Sequence, residues 1–156
     1  MSVQELFEGL RIVDTNRRSG RFLGPRDIAL IDTAEAAIGS AFPPTYREFV
    51  QRLGAGYFAG FEFYGITDGN FEASEVPNGI WLTLNEHRAG MVPANLLIIA
   101  DAGDGAYYCI ELRNGQEGPV IIYESGIPAD KQHPEKVAND FGEFFLAQVR
   151  QQLQHQ

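Results

Sequence analysis

The spacing of the hydrophobic residues changes twice along this 156-residue chain. Apolar residues recur every three or four positions through residues 28–53, which is the period of an amphipathic helix. Between residues 96 and 123 they form short apolar or alternating segments typical of strands, and after Asp140 the helical spacing returns. Helices, then strands, then a closing helix predict an α+β domain, in which several helices wrap a central, mostly antiparallel sheet.

The start of the chain has its own pattern. Ser2 and Glu5 have the spacing of a capping box ahead of several apolar residues, which predicts a short first helix. Residues 14–24 are polar and without periodicity, which is typical of a loop. We therefore divide the chain into an N-terminal helix and polar arm, residues 1–24, and a single domain, residues 25–156.

Two later helices carry stronger signals. Pro44 begins a helix in which Tyr46, Phe49 and Leu53 lie on one apolar face, and we expect all three to be buried. Asp140 and Glu143 form a second capping-box pattern, ahead of a Phe-rich closing helix.

Two interpretations apply to the short segment between Ala100 and Tyr107: a hairpin turn, or part of an enzyme's active site. An apolar strand ends at Ala100 and an alternating one begins near Tyr107, so the short connection between them predicts an antiparallel hairpin. We expect Gly103 or Gly105 to adopt a positive φ, with an aspartate carboxylate accepting backbone N–H bonds. The alternative is a small metal-dependent hydrolase that uses Asp101, Asp104 and His87. A calcium loop with Asp101 first would lack two of its oxygen ligands.

Several classes of protein are disfavoured by what the sequence lacks. The longest apolar runs fall far short of the ~20 residues of a membrane helix, and the first residues do not resemble a signal peptide. A single cysteine, Cys109, excludes an internal disulfide and a Cys-rich zinc site. The common nucleotide-binding, hydrolase and zinc-protease motifs are also absent. We expect a cytoplasmic protein that is not an enzyme and holds no cofactor or metal.

The charge is distributed unevenly. The formal net charge is -9, yet residues 1–52 hold seven acidic and seven basic residues. Between Leu53 and Leu112 there are eight acidic residues and one basic residue, Arg88. Such a surface repels nucleic acid, whose binding depends on Lys and Arg. Two interpretations of the acidic excess remain: it attracts a basic protein, or it serves solubility alone.

Separated strings in the chain together resemble one family. The segment Ile38-Gly39, then Phe42-Pro43-Pro44-Thr45-Tyr46-Arg47-Glu48-Phe49, then Leu53-Gly54 is similar to the opening signature of the SUKH superfamily, also called the Smi/Knr family. Glu35 stands at that signature's acidic position, whereas Phe42 replaces the usual Leu. Further on, Gly103-Asp104-Gly105 before the strand 107–112 resembles the family's Gly-Asp turn, with Glu111 where Asp is usual. Residues 118–123 and 140–145 are similar to its next strand and its closing helix.

The resemblance implies a function as well as a fold. Bacterial members are thought to be immunity proteins that bind and neutralise a polymorphic toxin, often a nuclease, whereas fungal members are scaffolds in cell-wall signalling. It therefore implies a non-catalytic protein-binding module, with an intracellular scaffold or regulatory protein as the alternative. Aromatic residues set among acids are the usual anchors of an interface, and this pattern selects the expected contact zone. Its residues are Glu62, Tyr64, Asp68, Glu72, Glu75 and Trp81. The alternative is that Tyr64 and Trp81 belong to the core and that the acids are simply solvated.

Overall fold

The computed structural model describes residues 2–155, in which five α-helices accompany seven strands. The helices are α1 (Ser2–Thr15), α2 (Ile28–Ile38), α3 (Pro44–Leu53), α4 (Gly79–Arg88) and α5 (Phe141–Gln154). The strands are β1 (Gly20–Phe22), β2 (Gly56–Phe58), β3 (Phe61–Phe63), β4 (Leu96–Gly103), β5 (Ala106–Glu111), β6 (Val120–Glu124) and β7 (Glu135–Ala138). This architecture confirms the predicted α+β fold.

The strands form two antiparallel sheets where the sequence predicted one. One sheet has the order β1-β2-β3 and the other β4-β5-β6-β7, so every neighbour in sequence is also a neighbour in space within each sheet. The Tyr64 amide, just after β3, donates to the Ile99 carbonyl of β4 at 2.8 Å. This bond links the small sheet to the edge of the large one.

Helix α3 has the bounds that its pattern predicts and buries two of the three residues expected on its apolar face. Pro44 occupies the first turn, where a missing N–H costs nothing, and Gly54 ends the helix with φ 72°. Tyr46 and Phe49 are fully buried, whereas Leu53 is only half-buried and packs against the rim of the core. The expectation for Leu53 was therefore too strong, because the last turn of α3 lies at the surface.

The N-terminal segment contributes to the same core. Helix α1 packs along α5, and the contact is close: a Cβ on Gly9 would lie 2.6 Å from the ring of Phe145. Leu6, Ile12 and Val13 are buried there. The predicted loop at 14–24 contains strand β1, which pairs with β2. Strand β1 has three residues, which are too few to show the alternation of apolar and polar side chains by which a strand is recognised in a sequence.

Helix α5 begins at the predicted cap. The Asp140 carboxylate accepts from the Glu143 amide at 2.9 Å, and the Glu143 carboxylate accepts from the Asn139 amide at 3.3 Å. These bonds satisfy N–H groups that have no partner inside the helix. Phe141, Phe144 and Phe145 then point into the core.

The chain reverses between β4 and β5 in an antiparallel hairpin, as predicted. Its loop is shorter than predicted, because β4 continues to Gly103 and pairs there with Ala106. Asp104 and Gly105 have φ values of 54° and 83°, the signs that a two-residue type I′ turn requires. Gly103 also has a positive φ, and Asp101 accepts from its amide at 2.8 Å.

The position of Asp104 in this turn gives a prediction about stability. Alanine tolerates a left-handed backbone less well than Asp, so Asp104→Ala should lower the free energy of unfolding by about 1 kcal/mol. Asp104→Gly removes the same carboxylate without that strain and should cost less. Urea denaturation of both variants measures the difference. An equal loss in both would mean that the carboxylate matters and the backbone conformation does not.

Candidate partner-binding surface

Four of the six predicted contact residues line one open groove. Asp68, Glu72 and Glu75 come from the loop between β3 and α4, and Trp81 comes from the first turns of α4. The groove has a volume of about 600 Å³ and is completed by Ala73, Ser74 and Asn85. We call it the acidic groove.

The loop that carries the three carboxylates is shaped by its own side chains. Asp68 accepts from the Asn70 amide at 2.9 Å, and Asn70 accepts from the amide of Ala73 at 3.1 Å. Such local bonds from Asp and Asn to the following backbone stabilise tight bends. Phe71, which is 7% exposed, anchors the loop to the core.

Asn78 joins this loop to helix α4. Its side chain is fully buried, accepts from the Trp81 amide at 3.1 Å as the helix cap, and donates to the Ser74 hydroxyl at 3.4 Å. Gly79 follows, and a Cβ there would lie 3.0 Å from the Ile98 carbonyl. The start of α4 is therefore held close to β4, which fixes the position of Trp81 in the groove.

The other two predicted residues lie beside the groove. Tyr64 is only 6% exposed and packs in a small second core that Trp81 borders. The Tyr64 side chain therefore offers little area to a partner and supports the surface from below. Glu62, on β3, is half-buried, and burial raises the pKa of its carboxyl.

Negative charges surround Tyr64. Burial, followed by the charges of Asp101 and Glu62, raises the pKa of Tyr64 to about 12. Burial, Glu86 and Asp101 also raise the pKa of Tyr107, on β5. Asp101 and Glu86, which the sequence did not assign to the contact zone, therefore lie near Tyr64 and Tyr107. The signal was the charge count itself, since these acids belong to the excess between Leu53 and Leu112.

A single ion pair lies beside the groove among the described residues. Arg88 donates to Glu72 at 3.3 Å, with the Arg88 side chain 54% and the Glu72 side chain 82% exposed. Exposed pairs of this kind contribute little and exchange readily. The groove therefore keeps a negative potential that a basic partner can meet.

The residues of the alternative hydrolase do not form a site. The His87 Nε2 lies 2.8 Å from the Leu96 carbonyl, at the start of β4, whereas Asp101 lies five residues further along that strand. At ~3.3 Å per residue the separation along the strand is about 16 Å. Within residues 2–155, the carboxylates close enough to share a metal are a different set, Glu5, Asp140 and Glu143.

Cys109 has the character of a core residue. Its side chain is fully buried on β5, and that burial raises the pKa of the thiol far above its usual range. A nucleophilic cysteine needs the thiolate form and access to a substrate. Cys109 meets neither condition in this structure.

Helices in the described part of the chain are too short or too polar to cross a membrane.

One known protein family matches most of the chain. The family described as SMI1-KNR4 cell-wall (SUKH_6) matches residues 28–145, about three quarters of the chain. This chain belongs to the SMI1-KNR4 cell-wall family. Members of the superfamily are generally non-catalytic immunity or regulatory proteins, and protein–protein interaction is their common activity.

Solved structures agree with this family fold. The crystal structure of a protein from Pseudomonas syringae pv. tomato superposes on this SMI1-KNR4 member with a TM-score of 0.54. The alignment covers 72% of this chain and 80% of that chain at 18% identity, which supports the shared fold alone. No curated protein matches the sequence. In this family member, the matched segment contains the whole acidic groove.

Proposed function

We propose that this SMI1-KNR4 family member is a non-catalytic, cytoplasmic immunity protein that binds a toxin through its acidic groove. The observation that carries the proposal is the convergence of Asp68, Glu72 and Glu75 around Trp81. Three carboxylates around a half-exposed indole form a surface suited to a basic protein. A nuclease toxin is the best match, because its active cleft must attract phosphates and is therefore rich in Lys and Arg.

Each part of the surface has a separate role in the proposed complex. The carboxylates accelerate encounter with a positive partner and select against acidic ones. Trp81 offers a large rigid ring that can pack against an aliphatic stem or bind a cation on its face. Glu62 and Asp101 extend the negative surface beyond the groove, and Tyr64 supports it from below.

The arrangement also favours a preformed surface. The Asx bends of the loop, the cap on α4 and the buried Phe71 hold the groove in the free protein. A partner therefore binds without ordering a flexible loop, and less of the interaction energy is spent on conformational entropy. A protein that must neutralise a toxin before it acts benefits from such fast and tight association.

Co-expression with a candidate toxin domain, sought first among the products of neighbouring genes, tests the proposal. We expect bacterial growth to be restored when the wild-type chain is present, and the two proteins to elute together in size-exclusion chromatography. A complex that forms without restoring growth would favour the scaffold or regulatory alternative. Failure to form a complex would contradict the immunity proposal.

A further inference from the structure

Three tyrosines lie together on the face of the large sheet that packs against α4. Tyr107, on β5, is the cross-strand neighbour of Asp101 on β4 and of Tyr123 on β6. Side chains directly opposite each other on antiparallel strands point to the same face of the sheet. Tyr64 and Tyr123 belong to the small second core, and Tyr107 packs against it. We call Tyr64, Asp101, Tyr107 and Tyr123 the tyrosine site.

The tyrosine hydroxyls of this site are unpaired within residues 2–155. Tyr64 and Tyr123 are only 6% and 7% exposed, yet no hydrogen bond joins either hydroxyl to another group in that part of the chain. By contrast, the hydroxyl of the fully buried Tyr46 donates to the Tyr64 carbonyl at 3.0 Å. Side-chain polar atoms that are closed off from solvent all have partners among the described residues, so the unpaired hydroxyls reach the surface. Since polar groups of buried residues are nearly always bonded, these hydroxyls are suited to a ligand.

Negative charge lies beside the tyrosine hydroxyls. After burial, the charges of Asp101 and Glu62 are what raise the pKa of Tyr64. For Tyr107, burial and then the charges of Glu86 and Asp101 raise the pKa in the same direction. Three carboxylates from β3, α4 and β4 therefore act on the same two rings, and a positive ligand would relieve their mutual repulsion.

These three carboxylates have no compensating cation. Glu86 accepts from the Ser125 hydroxyl at 2.7 Å, and Asp101 accepts from the Gly103 amide at 2.8 Å, and both donors are neutral. In the described part of the chain, no Lys or Arg forms an ion pair with any of the three. Lys136 shares this face of the sheet but lies on β7, two strands away from β5. The tyrosine site therefore has a net negative charge.

The spacing of the acceptors favours an organic cation over a metal ion. The carboxylates of Glu62, Glu86 and Asp101 are not among those that lie close enough to share one ion within residues 2–155. A guanidinium presents five N–H donors in one plane, so it can bond to separated acceptors at once. It also stacks on aromatic rings, and Tyr107 is only half-buried. An ammonium group is more compact and lacks this flat face.

We propose that the tyrosine site binds an arginine side chain of a partner protein. The guanidinium stacks on the exposed part of the Tyr107 ring and donates to the Asp101 carboxylate and to the tyrosine hydroxyls. Glu62 and Glu86 contribute negative potential from either side. The site shares no residue with the acidic groove, so it does not depend on a toxin or on the groove being the contact surface.

An NMR titration of the full chain with a short peptide tests this site. The probe is acetylated and amidated Gly-Gly-Arg-Gly-Gly, and its control carries citrulline, which keeps the shape of Arg without the charge. We expect saturable shifts of the backbone amide signals of Asp101, Tyr107 and Tyr123 with the arginine peptide, and none with the citrulline peptide.

Two matched double variants locate the bound peptide. Asp101→Asn with Glu86→Gln removes two charges from the site and should weaken binding at least about tenfold, because charge-assisted hydrogen bonds are lost. Glu72→Gln with Glu75→Gln removes the same charge from the acidic groove and should leave affinity within about twofold. Tyr107→Phe retains every charge but loses one hydroxyl, and it should weaken binding about threefold. The spectrum of each variant shows that it folds, and Tyr107→Phe carries the test if the first double variant does not.

Several outcomes would overturn the proposal. Absence of saturable shifts, equal binding of the citrulline peptide, or equal losses in the two double variants would show that the site does not recognise the arginine. Shifts centred on Glu72 and Trp81 would assign the peptide to the acidic groove. Equal affinity for a peptide with Lys in place of Arg would show that charge alone is recognised and would contradict a guanidinium site.

Discussion

Phe49→Ala should lower the free energy of unfolding by about 3–5 kcal/mol. Phe49 is fully buried at the centre of an aromatic cluster. Its ring centroid lies 5.2–6.3 Å from those of five other rings, Phe22, Tyr46, Phe63, Phe141 and Phe145. These neighbours come from β1, α3, β3 and α5, so they cannot collapse together into the space that the ring leaves.

Urea denaturation of three proteins measures this effect. Since a domain of this size has a stability of about 5–15 kcal/mol, the Phe49→Ala protein should remain folded at low urea concentration but lose much of its margin. Phe49→Leu retains more volume and should lose less. Tyr57→Ala removes an aromatic ring that is 40% exposed and should cost less than about 1 kcal/mol. A loss below about 1 kcal/mol for Phe49→Ala would mean that the centre of the core is assigned wrongly.

The sequence predicted the elements whose signals are local. Helix α3 follows from its apolar spacing, its first-turn proline and its closing glycine, and α5 follows from Asp140 and Glu143. The hairpin at Asp104-Gly105 follows from turn chemistry. In each case a few neighbouring residues determine the conformation, so no knowledge of distant contacts is needed.

Elements that depend on distant contacts were missed or misjudged. Strand β1 exists because its backbone pairs with β2, more than 30 residues away, and β7 has exposed residues with no alternating pattern. The sequence predicted one sheet, and the bond from the Tyr64 amide to the Ile99 carbonyl, which joins the two observed sheets, also depends on residues far apart in the chain. Local periodicity carries no information about such pairings.

The candidate surface was likewise predicted only where its signals are local in the sequence. The excess of acids and the position of Trp81 were visible in the sequence, and the structure gathers four of the six predicted residues in one groove. The burial of Tyr64 and the contribution of Asp101 depend on how β3 meets β4, which no local pattern indicates. Residues 14–24 were expected to form a polar loop, yet they contain strand β1, and the backbone after that strand bonds to the end of α3.

Reversing two charges in the acidic groove should have the largest effect on partner binding. Glu72→Lys with Glu75→Lys changes the local charge by four units in a groove whose partner is proposed to be basic. Repulsion between like charges should then slow association, and the loss of paired carboxylates should speed dissociation. Together we expect about a 100-fold loss of affinity for the toxin domain. Asp130→Lys with Glu135→Lys makes the same charge change near β7, at the opposite edge of the large sheet, and serves as the matched control.

The most direct measurement of the central claim is the affinity of these three proteins for the toxin domain at low and at physiological salt. We predict a loss of about 100-fold for the groove variant, a change within about threefold for the control, and a wild-type association rate that falls as salt rises. Equal affinities for the wild type and the groove variant, or equal losses in both double variants, would contradict a partner surface centred on Glu72, Glu75 and Trp81.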